Sequence, residues 1–173
     1  METKGYKTII TNVRFRAFMM GGSNSRQNYE YILKKNVLKE RKFMHICRAY
    51  FADAQRNDRY IYAIGGRGNQ ALVEFEQFKR SQRTMERYDV DRDRWLELKT
   101  ELNEGRYHST ACVLQDRYIY VFGGFKTTHF TKSDMTRVTK KTETMDNVSS
   151  HYIEKYDTFN DLEDENWAKM SKI

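Results

Sequence analysis

Four histidines, two cysteines and one short acidic stretch are the residues of this chain whose types suit chemistry. His45-x-Cys47 puts two zinc-ligand types together, but a zinc site needs three or four, and His108, His129 and His151 add none at close spacing. Asp91-Arg92-Asp93 lacks the spaced acids and terminal glutamate of a calcium loop; it reads as a charged turn ahead of Trp95. Gly65-Gly66-Arg67-Gly68 has the glycine density of a phosphate loop, yet no helical pattern follows to offer an N-terminus. Cys47 follows Arg41 by six residues and Cys112 follows Arg106 by six, so the two read as equivalent, buried packing residues, neither nucleophile nor disulfide. No catalytic, cofactor or metal set assembles from spacing, and the chain reads as a non-enzyme that needs no cofactor.

The elements around these residues repeat. One copy runs Arg59-Tyr60-Ile61-Tyr62-Ala63-Ile64-Gly65-Gly66, then Met85-Glu86-Arg87-Tyr88-Asp89, then Trp95. A second runs Arg117-Tyr118-Ile119-Tyr120-Val121-Phe122-Gly123-Gly124, then Ile153-Glu154-Lys155-Tyr156-Asp157, then Trp167. A third doublet, Gly21-Gly22 after Arg16-Ala17-Phe18-Met19-Met20, opens a poorer copy in which Tyr31 stands for the tyrosine and Val37 for the tryptophan. Units of this kind cannot bury their own faces and must stack on neighbours. The glycine doublets end a strand where another unit comes close, and the aromatic residues supply apolar area with a polar handle.

The order of glycine doublet, Glu-x-Tyr-Asp and tryptophan resembles the kelch repeat over almost the whole chain. That resemblance implies an all-β fold of the kelch-type β-propeller class, with about three four-stranded blades in one domain. The expected blades are residues 5–40, degenerate, then 41–100, then 105–171 with an inserted loop at 125–150. Period-2 alternation of β-branched and aromatic residues predicts strands over 6–11, 15–20, 29–33 and 37–39 in the first unit. The second is expected at 45–52, 60–64, 85–90 and 95–98, the third at 108–115, 117–122, 151–157 and 167–170. In some kelch propellers the resemblance implies copper oxidase chemistry, but the tyrosine, histidine and cysteine constellation that this needs is not traceable here.

Kelch proteins commonly bind a protein partner through inter-strand loops on one propeller face, and the resemblance implies that role here, as a scaffold or adaptor. A cytoskeleton-associated structural protein or a partial propeller without function is the alternative. The loops between the doublet and the third strand, near 67–83 and 125–150, are where binding residues concentrate. Their basic residues, Arg67, Lys79, Arg80, Arg83, Lys126, Lys132, Lys140 and Lys141, suit an acidic protein surface or peptide. The threonine- and lysine-rich 125–150 loop also offers Arg137 and its lysines to a phosphate, should it be phosphorylated.

Formal net charge is +7 over 173 residues, but acids and bases alternate and no basic stripe interleaved with aromatics appears, which argues against nucleic acid. Residues 1–48 hold eleven Lys and Arg against three Asp and Glu, a net of +8, while residues 157–173 hold two against five, a net of −3. Opposite ends of this sign favour contact between them, within one chain or between two. No apolar run reaches the eighteen residues of a membrane span and no leader pattern appears, so a cytoplasmic setting is expected, or a nuclear one. Three blades are too few to close a propeller of four to eight. The chain is therefore expected to be part of a longer propeller, a decayed copy, or half of a six-bladed ring made by a homodimer.

Overall fold

The computed structural model describes residues 9–13, 16–22, 25–68, 81–127, 147–150, 152–159 and 171–172. They form three four-stranded antiparallel sheets and a two-stranded ribbon, with no α-helix among the described residues. The first sheet runs in chain order through β1 (Ile9–Val13), β2 (Arg16–Met20), β3 (Asn28–Ile32) and β4 (Val37–Glu40). The second repeats that order with β5 (Ala52–Arg56), β6 (Tyr60–Ile64), β7 (Met85–Asp89) and β8 (Arg94–Leu98). After β9 (Thr110–Leu114) and β10 (Tyr118–Phe122), the chain leaves as a ribbon of β11 (Phe125–Thr127) and β12 (Asn147–Ser149). It returns as β13 (Ile153–Asp157) and β14 (Ser171–Lys172) to complete the third sheet.

Local chemistry explains the hairpins. Tyr60-Ile61-Tyr62-Ala63-Ile64 is β-branched or aromatic at four of five positions, which suits a pleated surface. Ahead of it, Asn57 and Asp58 take φ of 54° and 45°, and the Arg59 N–H donates to the Arg56 carbonyl at 3.1 Å. Two left-handed residues match the twist of the flanking strands, which is why short polar residues turn hairpins. Gln115 and Asp116 repeat the turn between β9 and β10, at φ of 54° and 50°.

The second sheet lies between the other two. On one face Ile61, Ala63, Tyr88 and Trp95 bury against Phe18 and Met20 of the first sheet. On the other, Tyr62, Ile64 and Met85 bury against Ile119, Val121 and Tyr156 of the third. Burial along the second strands records this: Ile61 to Ile64 are all buried, whereas in β10 only Ile119 and Val121 are, and in β2 only Phe18 and Met20. A strand covered on one face alternates, and a strand covered on both does not.

Several expectations need correction. The strand predicted over 45–52 begins only at Ala52, because residues 44–51 form an irregular connector in which Arg48 turns inward and Tyr50 takes φ of 54°. Register places Leu38, not Val37, at the tryptophan position, since Leu38 pairs with Tyr31 as Trp95 pairs with Tyr88. The outer strand of that unit forms without the tryptophan, and β4 is exposed throughout. The cysteines are not equivalent: Cys112 pairs with Tyr120 as Ala54 pairs with Tyr62, while Cys47 lies in the connector before β5. Cys112 is exposed and Cys47 half-buried, so neither is the buried packing residue expected. The ends of the 125–150 insertion are paired as β11 and β12. Trp167 and the predicted 167–170 strand lie outside the described residues.

Candidate functional site

Two buried arginines organise the connectors between sheets. Arg48 lies four residues before β5, and its carbonyl accepts the Gly22 N–H of the preceding sheet at 2.8 Å. Its guanidinium points the other way, donating to the Gly65 carbonyl at 2.7 Å, the Thr84 carbonyl at 2.8 Å and Glu86 Oε1 at 3.1 Å. Arg106 repeats the arrangement four residues before β9. Its carbonyl accepts from Gly66, and its side chain donates to the Gly123 and Tyr152 carbonyls and to Glu154.

The two carboxylates also hold the connectors. Glu86 accepts the His45 and Ile46 N–H groups at 2.7 and 3.3 Å, and Glu154 accepts the Asn103 N–H at 2.7 Å. Both Arg–Glu pairs are fully buried. A charge taken out of water is tolerated only with its partners in place, and burial pulls the Arg48 guanidinium below its ordinary value while Glu86 opposes it. These groups tie the connectors to the sheets.

The remaining motif residues do related work. Tyr88 donates from its hydroxyl to Asp93 Oδ1 at 2.6 Å, and Trp95 donates from Nε1 to the Lys42 carbonyl at 2.8 Å. Burial, with the Asp93 hydrogen bond, pushes the Tyr88 phenol well above its ordinary range. Tyr156 is buried against the second sheet. All six doublet glycines, Gly21, Gly22, Gly65, Gly66, Gly123 and Gly124, have positive φ. At Gly65 a Cβ would lie 2.6 Å from the Arg106 carbonyl, so the residue combines a left-handed backbone with close approach of the next unit. In the first sheet, Glu30 receives bonds from Arg16 and Arg41; the Arg16 hydrogen bond, aided by Arg41 against the effect of burial, holds its pKa at about 2.

The connections between second and third strands leave the sheets at the doublet end, where three predicted basic residues are described. Arg67 bridges to Ala49 and Ser81, and its guanidinium lies 4.3 Å from the Tyr107 ring centroid. Arg83 donates to the Leu102 carbonyl at 2.8 Å and lies 3.7 Å from Glu101. Lys126 pairs with Glu104 at 3.3 Å. Lys79, Arg80, Lys132, Arg137, Lys140 and Lys141 lie outside the described residues.

Beside Arg67 is a cluster that sequence reasoning missed. The rings of Tyr50 and His108, at equivalent positions two residues after Arg48 and Arg106, lie with centroids 4.0 Å apart and planes tilted by 35°. Tyr107 is 5.5 Å from His108, and Phe125 lies 6.0 Å from Tyr107. His108 is exposed and Phe125 is 39 % exposed. The shared offset from the two arginines was the available signal, and assigning 45–52 and 108–115 to strands obscured it. Such a surface offers aromatic faces, an imidazole and a guanidinium together, suited to holding an acidic or aromatic side chain.

Near Trp95, an open cleft of about 570 Å³ is lined by Lys42, Phe43, His45 and Arg94 among others. Among the described residues no group of three or more His, Cys, Asp and Glu is placed to hold a metal, and no helix is long and apolar enough to cross a membrane. No protein-family model matches the chain, and no curated protein matches it.

Proposed function

We propose that the three sheets are consecutive blades of a kelch-type β-propeller and that the molecule is a protein-binding module. Support for the blade reading comes from the repeated four-strand order, the doublets at equivalent ends and the face-to-face stacking of sheets. The observation that carries the binding reading is the ring cluster of half-buried Tyr50 with exposed His108 and Phe125 beside Arg67, at the end where the long inter-strand connections emerge. Backbone hydrogen bonds from His108 to Tyr50 and from Phe125 to Tyr107, both 2.8 Å, tie the segments that carry these rings together, so little freedom is lost on binding. The partner is an acidic segment carrying an aromatic residue, taken up by a cytoplasmic scaffold or adaptor and not turned over.

A set of Asp- and Glu-rich dodecapeptides, each with one Phe, Tyr or Trp, tests this by fluorescence anisotropy. Binding that falls at least ten-fold in His108→Ala and Arg67→Glu, with the urea midpoint unchanged, is the expected result. No binding by any peptide, or equal binding by both variants, overturns the reading.

A further inference from the structure

The outer faces of the first and third sheets carry the residues that elsewhere in this molecule are buried between sheets. On the third sheet, Thr110, Cys112, Tyr120, Phe122 and Ile153 stand at the register positions of Ala52, Ala54, Tyr62, Ile64 and Met85. The second-sheet set is buried, whereas none of the third-sheet set is. A Cβ on Gly65 meets the next unit's carbonyl, yet a Cβ on Gly123 meets nothing within 4 Å. The site that receives a following sheet is therefore built, and among the described residues none buries it.

The complementary face is on the first sheet. Ala17, Met19, Tyr31 and Leu38 occupy the register positions of Ile61, Ala63, Tyr88 and Trp95, the residues with which the second sheet covers the first. Ala17, Met19 and Tyr31 are part-exposed and Leu38 is 42 % exposed. Charge suits a second copy as occupant: exposed Glu40, opposite Tyr29, stands on the outer face of the first sheet and Lys155, opposite Tyr120, on that of the third, so the two faces bring opposite signs together.

We infer that a second copy of this chain docks by the outer face of its first sheet onto the outer face of the third. The contact is heterologous, and two such contacts close a two-chain ring when the rotation between copies allows it. Docking rests on the packing between sheets described above, whereas closure into six blades rests on the propeller reading.

Light scattering of the full chain at rising concentration, together with the reaction rate of Cys112 with a thiol reagent, tests the docking. The expected result is a species of twice 20.8 kDa in which Cys112 reacts at least five-fold more slowly than in the monomer. Phe122→Lys and Met19→Lys each give monomers, and mixing the two variants restores association, because one intact pair of faces remains. Gly123→Asn and Leu38→Lys serve as second variants should either lysine variant fail to fold. A wild-type monomer at every concentration, or undiminished dimerisation of both Met19→Lys and Leu38→Lys, overturns the inference. Species larger than two chains support the head-to-tail contact but overturn closure and the six-blade ring. Peptide binding by the monomeric Phe122→Lys variant keeps the doublet-end reading separate from this one.

Discussion

Glu86 and Glu154 are the acids of Glu-x-Tyr-Asp, and their role depends on residues distant in the chain. Each is buried with an arginine and accepts backbone N–H groups from a connector. Removing one member of such a pair leaves the other charge without compensation, at a cost of about 3–5 kcal/mol. Glu86→Gln is expected to lower the urea unfolding free energy by that amount, and a loss below about 0.5 kcal/mol would mean the pair is not sealed from water. The glutamate was legible as part of a repeated motif, but its partner was not. Arg48 precedes Glu86 by 38 residues and Arg106 precedes Glu154 by 48, so no fixed spacing joined them.

At the level of elements, strands with strong alternation and clear turn residues were legible, and those beside a connector were not. β6 was placed at its observed ends because a five-residue run with four β-forming residues is bounded by a left-handed turn and a doublet. β5 was placed too early because His45 to Phe51 has strand-like composition, while buried hydrogen bonds to Arg48 and Glu86 bend that segment out of the sheet. The Tyr50–His108 ring cluster was hidden for the same reason. The hairpin turns make a direct comparison: Asn57 and Gln115 occupy the same left-handed position at φ of 54°. Asparagine tolerates that region better than glutamine, for which it costs roughly 1–2 kcal/mol. Gln115→Asn is therefore expected to stabilise the chain by about 0.5 kcal/mol in urea titration, and a loss of stability would show that the Gln115 side chain makes a contact worth more than the strain.

Across the whole molecule, protection should follow the number of covered faces. β6 is buried on both sides, β2 and β10 on one, and β4 on neither. Amide hydrogen exchange at low protein concentration is expected to be slowest in β6, intermediate in β2 and β10, and fastest in β4. Equal protection of β10 and β6 in the monomer would mean that the third sheet's outer face is already covered. The repeat and its doublets were legible at this scale because they recur in one linear order. The inequality between the sheets was not, since it arises from position in the stack and not from local sequence. The connector arginines carry one more consequence, for where the chain can change length. Arg48 lies four positions before Ala52 and Arg106 four before Thr110, while Met85 lies 19 positions after Gly66 and Ile153 29 after Gly124. The short segment is a ruler that fixes one sheet against the next, and the long one is a spacer, so insertions and deletions belong to the spacers and a single added residue in a ruler disconnects neighbouring sheets.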